Sequence, residues 1–354
     1  VKIHNTQEPM HKIREIYHKA PLRSMEELSP IKKLADQHRL VAIDQWLSGV
    51  EEYLKQNFDT ALQLFDLAIQ MDPEIEFPWN AKGNILAADE EYDLALKAYE
   101  KAVQLYPGYA FAWNGMGNVY HYMGQHTRAV ECFDKAIEIH PSFSYTWNGK
   151  GNALRSLGQF TEALLCFEKS IQLDPADSYP RNGKANVMRI LSETEKALNM
   201  YKDTVKINPE DVYTWTGMGH VLRLLGRHKE ALDAYEKAIL LNPNDQYPWN
   251  GKGKTLASMG LCEESLVAFK KSLDLKHDDP YTWKSMAESL SNLGRSERAL
   301  EACDQAIKLN SADPGILYEK GKILRHLGRE KEALDEYEKA LLLNLKAIEA
   351  SKKS

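Results

Sequence analysis

Apolar positions in the stretch 144–177 follow a helical spacing twice over, with a break between. Trp147, Gly151 and Leu154 stand at 4/3 spacing, as one face of a helix requires. Gly158 interrupts the pattern and permits a turn conformation closed to bulkier residues. Ala163, Phe167, Ser170 and Ile171 form a second stripe, with Thr161 as its expected N-cap and Pro175 marking its exit. Small residues at Gly151, Ala163 and Ser170 let two helix backbones approach closely. The stretch is predicted to be a helical hairpin.

The hairpin is copied along the chain. Trp79, Trp113, Trp147, Trp215, Trp249 and Trp283 recur with a period of 34, and Arg181 and Leu317 fill two further slots of the same column. Gly83, Gly117, Gly151, Gly219, Gly253 and Gly321 follow four residues later. An aromatic column runs through Tyr99, Phe133, Phe167, Tyr201, Tyr235 and Phe269, and Pro73, Pro107, Pro141, Pro175, Pro209 and Pro243 close successive units. Nine units result: 42–75, 76–109, 110–143, 144–177, 178–211, 212–245, 246–279, 280–313 and 314–347. One small unit repeated, none able to bury its apolar face alone, predicts an all-α solenoid with the tryptophans mostly buried between units. Residues 1–41 fit the period poorly and are expected to form an irregular leader and a capping helix. There Ser24–Met25–Glu26–Glu27 resembles a capping box and Ser29–Pro30 a helix start. Residues 348–354 form a C-terminal tail.

Trp at position 4, Gly or Ala at 8, small residues at 20 and 27, an aromatic at 24 and Pro at 32 resemble the tetratricopeptide repeat. The resemblance implies a right-handed superhelix of about one turn built from nine tandem hairpins. It also implies a protein-binding role, with positions 2, 5, 9 and 12 of the first helix turned toward a concave surface. Their 3/4/3 spacing is independently one helical face. Two departures stand out. Position 7, commonly Leu in the family, is Lys82, Lys150, Lys184, Lys252 and Lys320, alternating with Met116, Met218 and Met286; the lysine stems are expected to cover apolar surface with solvated tips. Unit 178–211 lacks the Trp and has Ala185 and Ser192 at glycine positions, a softer joint.

Composition narrows the function. Charged residues are 27% of the chain, hydrophobic ones 43%, and the net charge is −6. A nucleic-acid binder needs a basic face to displace counterions, so nucleic acid is disfavoured. No apolar run approaches the ~20 residues needed to span a bilayer, and residues 1–18 contain no signal-peptide core. No membrane insertion is expected, and a cytoplasmic location fits. Cys132, Cys166, Cys262 and Cys303 form no framework and read as reduced, packed thiols.

Candidate chemistry mostly dissolves into the repeat. Gly251-Lys252-Gly253-Lys254-Thr255 ends like a phosphate loop, but Pro248 replaces the required glycine and the segment lies in register inside a first helix. His4, His11 and His18 are seven apart, but Pro9 breaks their helix. His121 and His126 flank a turn, and neither they nor His220, His228 and His326 show metal-ligand spacing. No catalytic residues, metal or cofactor are expected, and the chain does not read as an enzyme.

What packing leaves unexplained is the polar first-helix face. Position 2 is Phe77, Phe111, Tyr145, Tyr179, Tyr213, Tyr247 and Tyr281; position 5 is Asn80, Asn114, Asn148, Asn182, Thr216 and Asn250. Position 9 is Asn84, Asn118, Asn152, Asn186, His220 and Lys254, and Arg155, Arg189 and Arg223 hold position 12 in three consecutive units. Asparagine amides both donate and accept, so a ladder of them suits a peptide backbone; tyrosines add apolar area and arginines anion recognition. The bland alternative is that Asn at 5 and 9 bond each other. The ladder resembles the asparagine-lined repeat region of O-GlcNAc transferase with the asparagines at other positions, and lacks the dicarboxylate clamp of chaperone-binding members. The expected groove is Tyr145, Asn148, Asn152, Arg155, Tyr179, Asn182, Asn186, Arg189, Tyr213 and Arg223. Its partner would be a protein or peptide, acidic or extended, held by a protein–protein interaction scaffold. Two rivals stand beside this: a targeting or regulatory region of a larger enzyme such as a transferase or kinase, consistent with a start at Val1, and a self-assembling structural protein. For the latter, Leu341, Leu342, Leu345 and Ile348 form a terminal association face, expected to be uncapped.

Overall fold

A computed structural model describes residues 7–17 and 25–351 and contains no strand among them. Ser24 of the expected capping box, His4, His18 and the Lys352–Lys353 tail lie outside the described residues. Two compact units divide the chain, residues 1–187 and 188–354, and the division falls inside the unit that lacks the tryptophan.

The first compact unit holds α1 (Gln7–Tyr17), α2 (Met25–His38) and the hairpins α3 (Val41–Leu54) with α4 (Phe58–Met71), α5 (Glu76–Ala88) with α6 (Tyr92–Leu105), α7 (Ala110–Tyr122) with α8 (His126–Ile139) and α9 (Ser144–Ser156) with α10 (Phe160–Leu173). Most of α11 (Tyr179–Ile190) follows. Each second helix packs on the first helix of the next hairpin, and α3, α5, α7 and α9 also touch in sequence. The second compact unit continues with α12 (Thr194–Ile207), α13 (Val212–Leu224) with α14 (His228–Leu241), α15 (Gln246–Ser258) with α16 (Cys262–Leu275), α17 (Pro280–Asn292) with α18 (Ser296–Leu309), and α19 (Pro314–His326) with α20 (Glu330–Ser351). The same neighbour-to-neighbour packing holds there. This is an α-solenoid of stacked hairpins.

The aromatic column is its core. Phe133 is solvent-free, and a Cβ added at Gly117 of its own hairpin or at Gly149 of the next would come within 2.7 Å of the ring. Phe167 is held the same way by Gly151 at 2.8 Å and Gly183 at 2.5 Å. Glycine is there because two helix backbones press on one ring from both sides. Hairpin turns use the left-handed region: Gly158 has φ +76°, and Glu90 and Ser192 adopt it without being glycine, at φ 62° and 61°.

Two expectations gain detail and one needs correcting. The tryptophans of the repeating column are mostly buried, and each indole N–H reaches back to the carbonyl six residues earlier, as Trp147 Nε1 does to Pro141 O at 2.8 Å. The column ties the turn between hairpins, and Arg181 does so without a tryptophan, its Nη2 donating to Pro175 O at 3.0 Å. The solvated tips of the position-7 lysines are also paired. Lys150 Nζ lies 2.5 Å from Asp134, Lys184 Nζ 2.7 Å from Glu168 and Lys252 Nζ 2.8 Å from Glu236, each pair sixteen residues apart and joining consecutive hairpins. Thr161 is not a cap: α10 starts one residue earlier, with Gln159 at the N-cap and no side-chain bond. The capping residue is instead an aspartate ahead of several first helices, as where Asp211 Oδ1 accepts from Tyr213 N at 3.0 Å.

Candidate functional site

In the first compact unit the first-helix face is partly covered by the chain's own α1. Tyr17 lies edge-on to Trp46 at 5.2 Å and to Phe77 at 4.9 Å, and its ring is 5.7 Å from Phe111. Arg14 of the same helix makes a bidentate pair with Glu76, at 2.6 and 2.8 Å, and sits 5.1 Å over the Tyr106 ring. Glu76 has no solvent exposure, so this ion pair is one of the few in the chain shielded from water on one side. Phe77, expected on an open face, is buried beneath this helix at 0% exposure, and Asn80 of the same face is 3% exposed.

Beside Tyr17 the face opens into a cavity of about 750 Å³. Its floor carries Asn80, Asn84, Asn114 and Asn118; its walls are aromatic, chiefly Tyr53, Tyr92, Phe111, Tyr122 and Tyr145. Asn84 Oδ1 accepts from the Tyr99 hydroxyl at 2.7 Å. Asn80 Oδ1 and Asn114 Oδ1 are buried without a hydrogen-bond partner. Glu90 is the one ionisable residue at the rim apart from tyrosines.

Of the predicted groove, Tyr145, Asn148, Asn152, Arg155, Tyr179, Asn182 and Asn186 lie in this compact unit; Arg189, Tyr213 and Arg223 lie in the other. Asn148, Asn152 and Arg155 do come together, through Asn152 Nδ2 to Asn148 O at 3.2 Å and Arg155 Nη2 to Asn152 Oδ1 at 3.4 Å. Part of the ladder therefore bonds to itself, as the bland alternative had it. Asn182 is buried and offers no open surface, whereas Tyr179 is 68% exposed.

In the second compact unit Tyr213, Tyr247 and Tyr281 project into solvent. Between them lie half-buried basic groups. Burial, followed by the charges of Arg189, Arg223 and Lys254, pushes the His220 imidazole down to about 4. Burial and then Arg223 likewise lower the Lys254 ammonium. Further along, Glu288 is raised by burial and by Glu319. Acidic and basic groups therefore mix along this part of the face, with Lys284 and Lys322 beside Glu288.

The decoys resolve as packing. Gly251 and Gly253 lie inside α15 against the Tyr235 and Phe269 rings, and Thr255 Oγ1 donates to Gly251 O at 2.8 Å, so no loop is available to cradle a phosphate. His121 and His126 have ring centroids 5.0 Å apart, and no group of three potential metal ligands occurs among the described residues. The four cysteines are buried, and burial raises the Cys132 thiol to about 12 and Cys166 to about 11, leaving them protonated. No described helix is long and apolar enough to cross a membrane.

Residues 110–143, 144–177 and 212–245 match a family described as tetratricopeptide repeat; 285–350 match a second profile of that description, and 83–124 a profile described as TPR repeat. Together they span more than half of the chain. Among solved structures, a tetratricopeptide repeat protein from Parabacteroides merdae is similar at a TM-score of 0.59 and 14% identity, covering 70% of this chain and 98% of that one. The structure of the APC/C hetero-tetramer Cut9–Hcn1 is similar at 0.55 and 13% identity, covering 93% and 98%. No relative among curated proteins matches. With the recurring Trp, Gly and aromatic columns folded into stacked helical hairpins, the chain belongs to the tetratricopeptide repeat family, whose fold is a protein–protein interaction scaffold.

Proposed function

We propose that the chain holds a segment of a partner protein along the face of its first helices. The observation that carries this is the tyrosine column of the second compact unit, 53–63% exposed at Tyr213, Tyr247 and Tyr281, beside the basic groups Arg189, His220, Arg223 and Lys254. Exposed rings at fixed spacing offer contact area at low entropic cost, and the crowded, half-buried Arg189, Arg223 and Lys254 favour an anion that relieves their mutual repulsion. An acidic segment supplies that anion. Arg155, with a buried Nε lacking a hydrogen-bond partner, adds the same chemistry in the first compact unit. The test is affinity for an acidic peptide in the Arg155→Ala, Arg189→Ala and Arg223→Ala triple variant. Weaker binding with a flatter salt dependence is expected; unchanged affinity in the folded variant refutes the assignment.

A second surface is favoured by its exposure. Leu341, Leu342, Leu345 and Ile348 on α20 are 47–58% exposed, and the helix runs through the slot where earlier units carry proline. Each buried Leu or Ile gains about 1.5–3 kcal/mol, and a second copy of the chain is the proposed cover. Light scattering should show mass rising with concentration, and Leu345→Lys with Ile348→Lys should abolish the rise. A mass that stays monomeric at high concentration sinks this reading.

A further inference from the structure

We infer that the aromatic cavity of the first compact unit is a guanidinium site, taking an arginine side chain of a bound segment; this rests on the first-helix face being the binding face. The floor supplies acceptors without partners: Asn80 Oδ1 and Asn114 Oδ1, with Asn80 itself 97% buried. Neither amide oxygen is held by a hydrogen bond, so a turn of the amide brings it to the cavity. The rim supplies a carboxylate, Glu90, between the exposed Asp89 and Glu91. The walls supply ring faces, with Tyr92 and Tyr122 parallel within 12° at 6.4 Å and Tyr122 open to solvent. No Lys, Arg or His lines the cavity among the described residues. Acceptors, a carboxylate and π-faces without a competing cation select a planar, donor-only cation. Guanidinium is the side chain that fits, since it carries five N–H donors, no acceptor, and stacks on rings.

One further observation agrees. The same face already seats a guanidinium from the chain itself, for Arg14 pairs with buried Glu76 while lying over Tyr106. Glu90 also sits at φ 62° in a turn position where glycine stands in other hairpins, such as Gly124 and Gly158. Gln56 and Ser192 adopt it too, so glycine fits this turn and the Glu90 carboxylate can be removed there without strain.

The experiment is calorimetric titration of the whole chain with acetyl-Gly-Arg-Gly-amide and with its citrulline counterpart, which keeps the shape and loses the charge. The arginine peptide should bind at least tenfold more tightly, and Glu90→Gly should remove most of that difference while leaving the thermal midpoint unchanged or higher. Asn80→Ala deletes an unsatisfied acceptor, so it should fold normally and also weaken the arginine peptide. Equal binding of the two peptides, or full binding by folded Glu90→Gly, overturns the assignment. An acidic peptide titrated alongside separates the failures: if it binds and the arginine peptide does not, the guanidinium site alone is wrong, and if neither binds the first-helix face is wrong too.

Discussion

At the scale of single residues, Gly149 is set by the ring it touches. An added methyl meets Phe133 at 2.7 Å, and Gly117 blocks retreat on the other side at 2.7 Å. Overpacking costs about 1–3 kcal/mol, against about 1 kcal/mol gained in helix propensity. Gly149→Ala should therefore lower stability by up to ~2 kcal/mol in urea unfolding. Arg181→Ala, losing its bond to Pro175 O, should cost about 0.5–1.5 kcal/mol, and Arg181→Trp should recover it. His220 fixes a pH dependence. Folding depresses its pKa from 6.5 to about 4, so the unfolded chain binds more protons in that window. Stability is complete above the unfolded value and falls as pH drops from 6.5 toward 4; His220→Gln should flatten that slope in denaturation at stepped pH. These roles were only half legible. Each Trp of the repeating column stands six residues past a proline or His277, a spacing visible in the sequence, but spacing alone does not say that the indole bonds a carbonyl rather than a core.

At the scale of elements, the hairpins themselves were legible because their signals repeat: turn glycines at φ near +72°, a ring column with 3.6-residue neighbours, and prolines at exits. The lysine–acid rungs were not, since they join helices of different units. A clue existed in the pairing sixteen residues apart. Where the acid slot holds Lys202 or Lys270, position 7 of the next unit is Met218 or Met286. That exchange predicts the energetics. Lys150 is 21% exposed and Asp134 52%, so the rung contributes no more than about 1 kcal/mol. Lys150→Met should be close to neutral at physiological salt, while Asp134→Lys in the otherwise unchanged chain should destabilise by placing two ammonium groups together. A double-mutant cycle between the two positions measures the coupling. The partial occlusion of the first-helix face by α1 was illegible for another reason: no repeat register governs residues 7–17, and only tertiary packing sets Tyr17 on Phe77.

At the scale of the whole molecule, the repeats pack neighbour on neighbour, so a local fault need not spread. Stability in such arrays is close to a sum of unit and interface terms. The two compact units make this testable, because Gly117, Gly149 and Phe133 all belong to the first and none of their neighbours reach α13 or beyond. Combining Gly117→Ala with Gly149→Ala presses two methyls on one ring and should weaken α7, α8 and α9 most. Amide hydrogen exchange followed by peptide mass analysis should show lost protection there while α15–α19 keep theirs. Urea unfolding should broaden at the same time, since two-state behaviour fails when part of an array melts first. Equal loss of protection along both compact units would mean instead that the array folds as one cooperative body, with interface energies much larger than the intrinsic instability of each hairpin.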